Sequence, residues 1–167
     1  MKDDEGFERF SIYKFSIGYP PVCRLEFNPK SRREAGDVVF HFPDREKIFI
    51  SWGNLEDAQK KFPTVEDQAE HNIQVVKKNA HVKSFERVAQ DSLRINSHNA
   101  AYNHIRLEEM VGGFFPSKKT IRRQALSVHL RCEKLSRYFV IYSMPSAKAP
   151  EDFSDLFLLM VKTFECH

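Results

Sequence analysis

Cysteine is scarce in this chain and badly spaced for covalent architecture. Its three residues, Cys23, Cys132 and Cys166, form no pair at metal-ligand or redox spacing and do not make a disulfide framework. That pattern fits a reducing, cytoplasmic setting. The opening MKDDEGFERF is acidic and has no apolar core of the kind a signal peptide needs. The longest purely apolar run, Leu156 to Val161, is far too short to cross a bilayer as a helix. No Gly-x-Ser-x-Gly elbow, phosphate-cradling glycine loop or dinucleotide fingerprint occurs, so the common catalytic signatures are missing. Neither a catalytic residue nor a cofactor is expected, and the chain reads as a non-enzyme.

What is present is phenylalanine. The 167 residues hold 15 Phe against one Trp, with 41% hydrophobic and 29% charged residues overall. This is a globular composition, long enough for one well-buried domain over residues 1–167. Aromatic richness favours a sheet, whose pleated surface suits such side chains. Alternation predicts a strand over Ser11 to Tyr19, stopped by Pro20-Pro21, then strands over Val38 to Phe42 and Lys47 to Trp52. Asn54 to Pro63 reads as a connection. Thr64 followed by Asp67 predicts a capped helix with Val65, Ala69, Ile73 and Val76 as its apolar stripe.

Long strands are then expected over Val82 to Ile95, Tyr102 to Val111, Thr120 to Cys132 and Arg137 to Met144, with Val140 and Tyr142 in phase on the last. Pro150 with Glu151-Asp152 opens a closing helix whose apolar face is Phe153, Leu156, Phe157, Met160, Val161 and Phe164. Strands followed by a helix, more strands and a final helix predict an α+β domain. Its expected form is a central antiparallel β-sheet flanked by helices.

Several stretches then resemble a known family. They are FSIGYP (Phe15 to Pro20), VVFHFP (Val38 to Pro43), TVEDQAE (Thr64 to Glu70), INSHNAAY (Ile95 to Tyr102) and the closing EDFSDLFLLMVKTF (Glu151 to Phe164). Together they resemble the PsbP-like fold family, which includes the extrinsic photosystem II protein PsbP, a Ran-binding nuclear import factor and related prokaryotic proteins. The resemblance implies an α-β-α sandwich, and it brings no catalytic motif with it. The chain departs from the family where Val22 and Cys23 follow the Tyr-Pro, a place where relatives often carry Trp.

The formal net charge of +3 is mild, but seven cations and one anion lie between Gly112 and Arg137. Within that span GGFFPSKKTIRR joins two aromatics to four cations. Phe114, Phe115, Lys118, Lys119, Arg122 and Arg123 are therefore the candidate contact residues for an acidic protein partner. The alternative is that the rings fold back over the sheet edge and the cations are merely solvated. Two other readings use Cys23 as a reactive thiol beside Arg24, or residues 118–137 as a weak nucleic-acid track. Among the seven histidines, Asp67 and His71 suit a solvated helix pair, while His98, His104 and His129 read as surface residues. Cys132 reads as a small core residue. Cys166-His167 is half a metal motif on a terminus expected to fray, so no metal is expected.

Overall fold

The computed structural model describes residues 6–79, 81–112 and 118–167. Five strands come first: β1 (Glu8–Ile12), β2 (Phe15–Tyr19), β3 (Arg24–Phe27), β4 (Gly36–His41) and β5 (Lys47–Asn54). The helices α1 (Leu55–Lys61) and α2 (Val65–Lys77) follow, then β6 (Val82–Ile95), β7 (His98–Val111), β8 (Lys119–Cys132) and β9 (Arg137–Ser143). The chain closes with α3 (Phe153–Lys162) and the short β10 (Glu165–Cys166). Seven strands form one sheet in the order β3-β4-β5-β9-β8-β7-β6, every neighbour antiparallel. The others form a small sheet in the order β1-β2-β10.

Register assigns the two faces of the large sheet. Leu130 pairs with Phe139, and Val128 and Ile50 both pair with Ile141, which puts these fully buried residues on one face. That face is covered by α3 together with the small sheet, through Phe15, Ile17, Phe157, Met160 and Phe164. His129 pairs with Val140 and Ser127 with Tyr142 on the opposite face, where Ile73 of α2 packs on Ile105 and Leu107. The architecture is α+β as expected, but it is mostly sheet. A second sheet shares with α3 the layer that a simple helix–sheet–helix sandwich would give to helix alone.

Local chemistry explains most of the elements. The Thr64 hydroxyl accepts from the Asp67 amide at 3.1 Å while the Asp67 carboxylate accepts from the Thr64 amide at 3.1 Å, the reciprocal cap the sequence predicts. Four expectations are corrected. Residues 11–19 are not one strand: Tyr13 (φ 48°) and Lys14 (φ 67°) make a two-residue hairpin between β1 and β2. Residues 54–63 are not only a connection, because Asn54 caps α1 by accepting from the amides of Glu56 (2.9 Å) and Asp57 (3.4 Å). The buried phase of β9 is Arg137, Phe139 and Ile141, so Val140 and Tyr142 face away from the main core. The chain end does not fray; β10 pairs Cys166 with Phe15 of β2.

Phe164 is completely buried, with its ring 4.9 Å from Phe139 and 5.9 Å from Phe15. Phe164→Ala is expected to cost about 3–5 kcal/mol, because the cavity falls where three elements meet and cannot collapse. Chemical denaturation checks this. A loss below about 1 kcal/mol would show that the junction is not tightly packed.

Candidate functional site

The face of the large sheet that carries α2 is only partly covered. α2 lies over β7 and the near part of β8, and beyond it the surface of β9 and β5 stays half-buried. Between them is a groove of about 600 Å³, walled by Ile73 and Val76 on α2 and by Ala125, Val140, Tyr142 and Met144 on the sheet side. Tyr142 is held flat against Phe49 at 4.9 Å, and Phe62 lies 4.9 Å from the His71 ring at the rim. Two polar side chains lie in the groove without partners. Asn103 Oδ1 and both ring nitrogens of His129 make no hydrogen bond, although these residues are only 2% and 1% exposed. Burial pushes the His129 imidazole down to about 4, so the ring is neutral near pH 7 and offers one donor and one acceptor.

Two clamps hold α2 in place over this surface. The Arg131 guanidinium on β8 donates to the carbonyls of Phe62 (2.9 Å), Pro63 (3.1 Å) and Thr64 (2.9 Å), tying the α1–α2 corner to the sheet. Arg87 on β6 donates to both carboxylate oxygens of Glu70 at 2.9 and 3.1 Å. With Gln74, that contact holds the Glu70 carboxyl below its ordinary value, hydrogen bonding from Arg87 contributing most.

No protein-family model matches the chain, and no curated protein matches it. Solved structures do. Cyanobacterial PsbP (CyanoP) from Synechocystis sp. PCC 6803 superposes with a TM-score of 0.58 at 11% identity, covering 97% of this chain and 93% of CyanoP. The Saccharomyces cerevisiae Ran-binding protein Mog1p gives 0.58 at 10% identity, covering 96% and 95%. The chain has the PsbP-like fold. A Bacteroides thetaiotaomicron VPI-5482 structure gives 0.53 at 15% identity, and there this chain spans 49% of the other's length. At these identities the likeness concerns fold alone.

Within the PsbP-like fold, the contact residues expected from sequence separate into different fates. Phe114 and Phe115 lie outside the described residues. Lys118 and Lys119 are exposed and make no ion pair among the described residues. Arg122 and Arg123 are each matched across the strand, to Glu108 and Glu109, both at 3.0 Å. Arg131 serves the α1–α2 corner, and Arg137 is only 2% exposed. Residues 118–137 therefore do not present a continuous cationic surface.

The alternative thiol, Cys23, is buried, and desolvation followed by the nearby charge of Asp44 pushes it up to about 11. That environment is the opposite of the electropositive one that makes a nucleophilic thiolate. Asp67 and His71 do not form the pair expected of them; Asp67 is taken by Thr64 and the His71 ring lies tilted against Phe62. His104 and His129, expected at the surface, are both buried, because both faces of β7 and β8 are covered. At the far corner His98, Cys132, Cys166 and His167 converge, although nothing in their spacing announces it. Among the described residues, no helix is long and apolar enough to cross a membrane.

The buried His129 has a measurable consequence. Its value in the folded chain lies below the ordinary 6.5, so as pH falls the unfolded chain takes up this proton first and the native state loses stability from about 6.5 towards about 4. Between pH 7 and pH 5 the protein should lose about 2 kcal/mol more than His129→Gln does, measured by urea denaturation of both. Equal losses would show that His129 titrates as an open surface histidine.

Proposed function

We propose that the chain works by binding rather than by catalysis, and that its seat is the groove between α2 and the sheet. The observation that carries this reading is His129. A neutral imidazole at 1% exposure with neither nitrogen satisfied is costly unless something completes its hydrogen bonds. Mostly apolar walls with a few recessed polar groups, in a volume of about 600 Å³, suit a small molecule with an apolar body and one neutral hydrogen-bonding head. No carboxylate and no cysteine is among the described residues lining the groove. His71, His129 and Ser51, Ser127 and Ser143 are there, but among the described residues no hydrogen bond joins a serine to a histidine as an activated nucleophile would need, and the Ser143 hydroxyl is already given to the Lys47 carbonyl. The reading takes residues 1–167 as one domain.

A screen of aromatic amides and phenols by protein-observed NMR tests it. Fragments should shift Val76, Ala125 and Val140 and the His129 ring together, and Val140→Trp, which fills the groove, should remove the shifts. Shifts that persist in that variant would place binding elsewhere and sink the reading.

A second reading, capture of an acidic protein, is favoured by Lys118 and Lys119. They stand exposed and without ion pairs among the described residues at the end of the β7–β8 hairpin, beside Phe114 and Phe115 in sequence. Unpaired cations next to aromatics suit steering followed by burial, whereas Arg122 and Arg123 already have partners. The likeness to a Ran-binding protein agrees in kind with a protein partner. Replacing Phe114 and Phe115 by Ser with Lys118 and Lys119 by Glu should abolish capture of such a partner and leave Tm nearly unchanged. Unaltered capture, or a large fall in Tm, counts against it.

A further inference from the structure

The ends of three strands meet at one corner of the molecule. His98 opens β7 directly after the Asn96–Ser97 turn, Cys132 closes β8, and Cys166 lies in β10 with His167 beside it. One ligand atom from each of these residues lies within 4.8 Å of all the others. Cys166 Sγ is 3.1 Å from His98 Nε2, Cys132 Sγ is 3.5 Å from His167 Nδ1, and the two imidazole rings stand 5.4 Å apart at 82°. We propose that His98, Cys132, Cys166 and His167 form a tetrahedral two-sulfur, two-nitrogen site for a divalent zinc ion.

The geometry suits that ion. Zinc bonds of about 2.3 Å to sulfur and about 2.0–2.1 Å to nitrogen place neighbouring ligand atoms roughly 3.3–3.8 Å apart around a tetrahedron. Two of the contacts here already fall near that range, and the rest close with side-chain movements on the order of 1 Å. The donor set rejects calcium and magnesium, which take oxygen. The frame that presents the donors is firm. The Asn96 side chain donates to the Phe164 carbonyl at 2.5 Å, and the His167 amide donates to the Lys14 carbonyl at 2.7 Å. The main chain of Arg131 also lies close enough to act on the His98 ring, the kind of outer neighbour that orients metal-binding imidazoles.

On binding, each thiol gives its proton to solvent as its sulfur–zinc bond forms, and two neutral imidazoles donate lone pairs. Two thiolates neutralise the ion, and the Arg137 guanidinium acts on both sulfurs. Four protein ligands leave no open position, so the site is structural: it joins the small sheet to the ends of β7 and β8.

The test is an anaerobic titration of the reduced full chain with Co2+, then with Zn2+. The expected result is one Co2+ per chain with the visible absorption of a tetrahedral thiolate site, release of two protons per Co2+ bound in unbuffered solution, and displacement of the Co2+ by Zn2+ with no further proton release. Zn2+ should raise Tm of the protein. His98→Gln and His167→Ala, which leave the buried thiols intact, should each weaken Co2+ binding by at least about tenfold and remove the Tm gain, since three ligands then remain. Lack of a tetrahedral spectrum in the reduced protein would overturn the assignment, and so would an unchanged spectrum in both histidine variants. A Cys132–Cys166 disulfide in the isolated protein, with metal refused after reduction, would overturn it as well.

Discussion

The structure depends on a knot of three phenylalanines. Phe15 from the small sheet, Phe139 from the large sheet and Phe164 just after α3 meet with ring centroids 4.9 to 5.9 Å apart. Each buried ring contributes about 1.5–3 kcal/mol, but their larger effect is positional, because they fix how two sheets and a helix lie against one another. Arg137 completes the knot. Its guanidinium lies 5.5 Å from the Phe139 ring and 5.9 Å from Phe15, and it donates to the carbonyls of Tyr13 and Arg33. A buried charge is tolerated here because both of its terminal nitrogens meet main-chain oxygens of turns, although its Nε makes no hydrogen bond. The same knot draws β10 onto β2, which is what carries Cys166 and His167 to the corner where β7 begins and β8 ends.

The two faces of the large sheet solve the burial problem differently. One is sealed by α3 and the small sheet and is filled with Leu, Ile, Val and Phe at zero or near-zero exposure. The other is given one amphipathic helix, which spans β7 and β8 but leaves the surface of β9 and β5 half-covered. Small and polar residues fall on this second face, including Ser127, His129 and Ser51. A groove forms there because α2 is narrower than the sheet it lies on. Its position is set by Arg131 and Arg87, which pin the helix at its start and along its flank rather than centring it.

Where the sequence was legible, the signal was local. The capping box at Thr64 and Asp67, the stripe of α2 and the apolar face of α3 can each be read within one or two turns. The first hairpin was not legible, since Tyr13 and Lys14 adopt positive φ without the Asn or Gly that advertises such a turn. The helix α1 left a trace in Asn54, Glu56-Asp57 and Lys60-Lys61, but seven residues are too few for periodicity to show. His129 was misread because alternation marks an outward face without saying whether a helix covers it. The cluster of His98, Cys132, Cys166 and His167 was invisible for a stronger reason: three of its members are separated by more than thirty residues, and only the sheet topology joins them.

Charge along the chain was the least faithful guide to the surface. Seven cations between residues 112 and 137 suggest a basic patch, yet antiparallel pairing sets Glu108 beside Arg122 and Glu109 near Arg123. Arg131 and Arg137 spend their donors on carbonyls, a role for which the fork of a guanidinium is suited and a lysine ammonium is not. Among the described residues that leaves Lys118, Lys119 and Lys134 as the cations of this span without an ion pair or a structural task. A local charge count assumes an isolated segment; in a sheet the neighbouring strand decides how much of that charge the solvent meets. Arginine in this span is mostly mortar, and its cations left without a partner among the described residues are lysines.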